Sequence, residues 1–258
     1  MFDWLFRKSP HGGLPYYKIL EQNQPGRQRR DFSDLEKSPE FDRLRTQFAA
    51  ELLSQPRRPK EDQPLLTTFV TGQSSFFTIT LPDSRHCLLC FSSPIRAAAY
   101  ARTHARALRL KYLSSSSQEF ARLLGDLRRS KAIQDFAMDV CPHCLTFPAI
   151  QIKELMTSAD ILKIWSICKS AELARESLYF THANEAAERG DPQEAREIAL
   201  GAIQHVTMES ARLHLLLGQI AVSLMDKDLL RDARMFLEFL HAEQALRELR
   251  EIEQSGKG

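Results

Sequence analysis

Proline is spread so unevenly along this chain that it dictates the architecture. Eleven of the twelve prolines lie at or before Pro148, and everything after it holds only Pro192. Proline lacks a backbone N–H and its ring clashes with the preceding helical turn, so a long tract with one well-placed proline reads as helical. The chain of 258 residues therefore divides near residue 150. At about 150 residues per domain, that length suits one large or two small domains. Glycine points the same way, since Gly125 is the sole glycine between Gln73 and Arg189. Rossmann fingerprints and P-loops need several glycines within a few residues to bring backbone amides to phosphate, so both are excluded.

Composition narrows the partners. The chain is 43% hydrophobic and 26% charged, the balance of a globular protein with a real core. A net charge of +2 is too small for general nucleic-acid affinity, so nucleic acid is not the expected partner. No run approaches the roughly 18 apolar residues of a transmembrane helix. Met1 to Arg7 is apolar only at Phe2, Trp4, Leu5 and Phe6, short of the roughly 7–15 residues of a secretory core. The expectation is a soluble cytoplasmic protein, with this leader docking on its own domain or fraying; a membrane-surface segment is the alternative.

Three regions follow from turn and helix signals. Residues 1–64 form a leader in which QNQPGRQRRD and QPRRPKEDQP read as polar linkers. Between them a helix from Ser38 or Pro39 to Ser54 places Phe41, Leu44, Phe48 and Leu52 at helical spacing. Residues 65–155 read as a mixed α+β or α/β domain. Strands are expected at 65–70, 75–81, 86–91, 108–113 and 133–140. A helix opens at Pro94 and runs to about Ala107, and another, Gln118 to Ser130, starts at a Ser116–Glu119 capping box.

Residues 156–258 read as all-helical. Thr157 and Asp160 resemble a capping box, a kink is expected near Lys169 and Ser170, and the pattern runs to Arg189. Gly190, Asp191, Pro192 and Glu194 then combine a helix stop with a helix start. Thr207 is expected to cap a helix from Met208 to Met225. Asp226-Lys227-Asp228 marks another break, before one last helix from Leu229 toward Glu253.

The stretch THANEAAERGDPQEAREIALGAI has the small-residue spacing of the tetratricopeptide repeat, which residues 178–204 resemble. Residues 215–240 resemble a degenerate second copy at an offset of 38, where Ala183 and Ala195 fall on Ala221 and Ala233. An aromatic is missing at Ala199 and no proline ends the second helix. LLCFSSPIRAAAYA at 88–101 resembles the SseB-family N-terminal domain, although Val140-Cys141-Pro142-His143-Cys144 stands where that family carries Asn-Pro. The resemblances imply accessory or protein-interaction roles and no defined reaction.

Of the five cysteines, Cys87, Cys90, Cys141 and Cys144 form two C-x-x-C pairs. Four thiolates close a tetrahedral structural zinc site, and paired spacing of this kind is what a zinc knuckle uses. If the strands 86–91 and 133–140 run parallel, Cys90 and Cys141 meet at their carboxyl edge. Against this, HCLLC reads as strand, where residues three apart point to opposite faces. Sites with Cys90, Cys141, Cys144 and either Cys87 or a histidine such as His86 or His143 therefore stay open. So do inert reduced cysteines. Cys141-Pro142-His143-Cys144 also resembles the active-site tetrapeptide of thioredoxin-like oxidoreductases, although Pro148 cuts short the helix that such a site needs.

Arg102, Arg106 and Arg109 share a helix face in a stretch free of acids, a docking surface for an acidic partner or simply a solvated face. His182, His205, His214 and His241 show no ligand or catalytic spacing. The reading as a whole is a non-enzymatic protein whose helical half contacts another protein. A thiol-disulfide oxidoreductase and a zinc-stabilised nucleic-acid-associated module are the alternatives.

Overall fold

The computed structural model describes residues 33–54, 66–70, 76–93, 96–97, 100, 111–131, 133–139, 149–153, 155–205 and 210–255. Two compact units result, one from Arg43 to Glu172 and one combining the residues up to Asp42 with those from Leu173. The division falls inside two helices, α2 (Pro39–Ser54, after a short α1 at Ser33–Glu36) and α4 (Ser158–Glu188).

The first unit is built on a mixed sheet. Its strands are β1 (Leu66–Val70), β2 (Thr78–Thr80), β3 (His86–Phe91), β4 (Lys111–Ser115), β5 (Asp135–Met138) and β6 (Ile150–Gln151). They are ordered β4-β1-β3-β5-β6, with β2 paired to β3. Only β3 and β5 are parallel among these pairs, in a register that sets Cys87 opposite Asp135 and Cys90 opposite Met138. Strand β3, HCLLCF, is apolar almost without alternation because both of its faces are covered. Leu88 and Cys90 join Leu66, Phe120, Leu124 and Phe136 on one face; Cys87, Leu89 and Phe91 join Phe69, Tyr100 and Ala137 on the other.

The helix α3 (Ser117–Arg129) covers the first of these faces with Phe120, Ala121 and Leu124. Its start is the expected capping box, with both the Ser116 and the Glu119 halves formed. Of the strand expected at 108–113, residues 108–110 lie outside the described residues, and the described part runs on to Ser115, because Leu66 pairs with Ser115 and Thr67 with Ser114. Residues 101–110 and most of the helix expected from Pro94 lie outside the described residues, but Arg96, Ala97 and Tyr100 are helical.

The second unit is helical. After α4 come α5 (Pro192–His205), α6 (Ala211–Ser223), α7 (Lys227–Phe239) and α8 (Glu243–Ser255). Helix α4 is unbroken through the expected kink, where the Ser166 and Ser170 hydroxyls donate back to the carbonyls of Leu162 (2.8 Å) and Ile167 (2.9 Å). Its Thr157–Asp160 box is in place, with Asp160 N donating to Thr157 Oγ1 at 3.2 Å. The cap of α6 is Ser210; Thr207 lies outside the described residues.

One turn is used three times. Gly190, Met225 and His241 adopt left-handed φ of 81°, 52° and 52°. In each case that N–H bonds the carbonyl three residues back and the next N–H bonds the carbonyl five back, as in Asp191 to Ala186 at 3.0 Å and Asp226 to Ala221 at 2.9 Å. These are Schellman ends. They break the expected single last helix at His241, a residue without glycine's freedom in this region, which is why the sequence hid the corner. The first two turns repeat 35 residues apart, each followed by an aspartate N-cap, Asp191 onto Glu194 N (2.9 Å) and Asp226 onto Leu229 N (3.0 Å). That spacing is three residues short of the offset of 38 at which Ala183 and Ala195 fall on Ala221 and Ala233.

The helical core gathers Tyr179, Ala183, Ala195, Leu217, Ile220 and Phe236 among others. Leu246 and Leu249 of α8 pack with Leu237 in an adjoining cluster. Among the described residues, no helix is long and apolar enough to cross a membrane.

Candidate functional site

Parallel strands carry their chemistry at the carboxyl edge, where the loops that follow converge. Here β3 ends at Phe91 and β5 at Met138. Asp139, the next residue, takes a left-handed φ of 52°. Its N–H donates to the Cys90 carbonyl and its Oδ1 accepts from the Ser92 N–H, each at 2.8 Å, so one strained residue ties the two strand ends together. A non-glycine residue held in that region costs on the order of 1–3 kcal/mol.

Charges gather beside it. Arg96, which follows the Ser93 cap, holds Asp139 Oδ2 through Nη1 at 3.4 Å and Glu172 of α4 through Nη2. Lys169 Nζ adds a contact to Glu172 Oε2 at 3.3 Å. The Asp139 and Glu172 side chains are 7% and 4% exposed, and Arg96 is 14% exposed. Two carboxylates meet two cations, so the cluster is neutral overall, as buried charge must be to offset desolvation. What it does physically is clamp α4 to the sheet edge. The sequence carries no local signal for this cluster, since Asp139 and Glu172 follow no motif and are brought together only by the fold.

The expected metal ligands behave differently. Cys87 and Cys90 are both fully buried but lie in separate apolar clusters on opposite faces of β3, so the two thiols do not converge on one point. Burial, then the nearby Asp135 carboxylate, pushes the Cys87 thiol up to about 12. Burial also raises Cys90 well above the usual thiol range, followed by the Asp139 and Cys168 charges. Thiols raised this far are poor nucleophiles at neutral pH, since the thiolate is the form that attacks a disulfide. Cys141, His143 and Cys144 lie outside the described residues. Among the described residues no group of three or more His, Cys, Asp or Glu is gathered around one point. The parallel β3–β5 pairing expected of the edge site is present.

At the other end of β5, Asp135 is 1% exposed and receives Arg85 Nη1 at 2.9 Å; Arg85 Nε also meets Asp83 at 2.7 Å. Among the described residues, the buried Asp135 Oδ2 atom finds no hydrogen-bond partner. Arg102, Arg106 and Arg109 lie outside the described residues.

In the helical unit, polar chemistry lies along the seam between α4 and α6. Glu176 Oε1 accepts from Ser210 Oγ at 2.5 Å and Arg212 Nε at 2.8 Å, and the Arg212 guanidinium sits 4.8 Å over the Phe180 ring. His214 is fully buried and stacks on Phe236 with ring centroids 4.5 Å apart. His182 meets Glu185 at 3.6 Å. Comparison with protein-family models, curated proteins and solved structures finds no match for this chain.

Proposed function

We propose that this chain is a non-enzymatic protein-interaction or scaffolding protein whose helical unit, built as tetratricopeptide-like hairpins, receives another protein. One observation supports the reading above all: the same helix stop, aspartate cap and helix start recur 35 residues apart at Gly190 and Met225. Stacked hairpins of equal construction present neighbouring helices side by side and leave an extended surface suited to another polypeptide. The polar seam of Glu176, Phe180 and Arg212 lies on that pair of helices.

The test is photo-crosslinking with the full chain. A photoreactive residue replaces the exposed Thr181 of α4 in one preparation and the exposed Thr80 of β2 in another. The reading predicts a discrete protein adduct from position 181 and none from position 80. Adducts from position 80 alone, or from neither, count against it.

A further inference from the structure

The helical unit already holds one short segment of its own chain. Helix α1 has four residues, well below the about 12–15 under which an isolated helix is marginal in water, and the 16-residue α2 buries only Phe41. Docking is what gives this arm its shape. Leu35 packs against the helical core, Glu36 Oε1 lies 2.9 Å from Arg175 Nε, and the Arg175 guanidinium sits 5.9 Å over the Phe41 ring. Ser38 sets the spacing between these anchors: its hydroxyl donates to the Leu35 carbonyl at 2.6 Å and accepts from the Phe41 N–H at 3.1 Å. The Glu36 and Arg175 side chains remain 31% and 32% exposed, so water and a competing carboxylate both reach the pair. Such half-exposed ion pairs are weak and exchangeable.

We propose that the α4 surface around Arg175 is a recognition site for a short segment of another protein bearing a leucine, an acid directly after it and an aromatic residue six positions after the leucine. Residues 33–41 are this chain's own occupant of the site. The proposal rests on the interaction reading above and names the partner's chemistry: the acid meets Arg175, the aromatic ring lies under the guanidinium, and the leucine enters the apolar surface. The arm is then a competitor tethered in cis, at an effective concentration on the order of mM.

A fluorescein-labelled peptide of residues 31–44, titrated into the full chain, tests this. Wild-type chain is expected to bind it at least ten-fold more weakly than the Leu35→Ser/Phe41→Ser variant, whose own arm is disabled. Glu36→Arg in the full chain, a change at a half-exposed position outside the apolar clusters, is expected to tighten peptide binding several-fold. Arg175→Glu in the arm-disabled chain abolishes binding, and a peptide carrying Glu36→Arg restores it. Equal binding by wild-type and Glu36→Arg chains overturns the proposal, as does binding that ignores Arg175→Glu. A partner adduct at position 181 that persists under saturating peptide overturns the shared site while leaving the interaction reading intact.

Discussion

Gly218 of α6 and Leu249 of α8 approach so closely that a Cβ on Gly218 would lie 2.6 Å from Leu249 Cδ1. Alanine in a helix gains about 1 kcal/mol over glycine, but overpacking a filled contact costs about 1–3 kcal/mol. Gly218→Ala is therefore expected to be net destabilising by about 1 kcal/mol, and Leu249→Ala alone by about 2–5 kcal/mol through the cavity it leaves. The double variant should recover part of the loss. Urea unfolding that gives strictly additive effects contradicts the contact.

Arg85 shields a buried carboxylate. Replacing it with methionine strands Asp135, whose Oδ2 has no hydrogen-bond partner among the described residues, so Arg85→Met should lower the melting temperature more than Asp83→Asn, which removes only a surface partner. Because an uncompensated buried charge is the cause, Arg85→Met/Asp135→Asn should melt above Arg85→Met. A double variant no more stable than the single one removes that explanation.

Two helix starts should respond to acid. Hydrogen bonds from the Ser116 backbone and hydroxyl hold the Glu119 carboxyl below its usual range, and the Thr157 hydroxyl and then its backbone do the same for Asp160. A carboxyl depressed in the folded state contributes stability that is complete above its unfolded pKa, about 4.3 for Glu and 3.9 for Asp, and is lost as pH falls through the lower folded value. Wild-type stability should thus fall more steeply below pH of about 4 than that of Glu119→Gln/Asp160→Asn. Parallel acid-unfolding curves rule out this linkage.

The diverging thiols of β3 make a chemical prediction. With Cys87 raised to about 12 and Cys90 raised also, alkylation of the native chain at pH of about 8.5 should leave both unmodified until denaturant is added. Elemental analysis should find the same zinc-to-chain ratio in wild type and Cys87→Ala. Native labelling of either thiol, or zinc lost with Cys87, shows a different arrangement of this strand.

Where a residue's chemistry acts locally, the sequence announced the structure. Ser116 with Glu119, Thr157 with Asp160, and Gly190 with Asp191 each formed the turn or cap that their spacing implied. Strand β3 was legible from its apolar run, and its period of two already warned that Cys87 and Cys90 part company. What stayed hidden depended on tertiary context. The corner at His241 uses a residue type that rarely marks one, and the Arg96, Asp139 and Glu172 cluster joins three separate elements. Leu35 and Glu36 lie between the linker at 22–31 and the helix expected from Ser38 or Pro39, where the sequence signalled no element, and they are held by contacts to the helical core and to Arg175.

If the helical unit receives a partner, as proposed, binding should shield its helices. Hydrogen exchange on the full chain, with and without the protein captured at position 181, reads this out. Added protection is expected in α4 beyond Leu173 and in α6, with the β1–β5 strands unchanged. Protection confined to Arg43–Glu172 would contradict it.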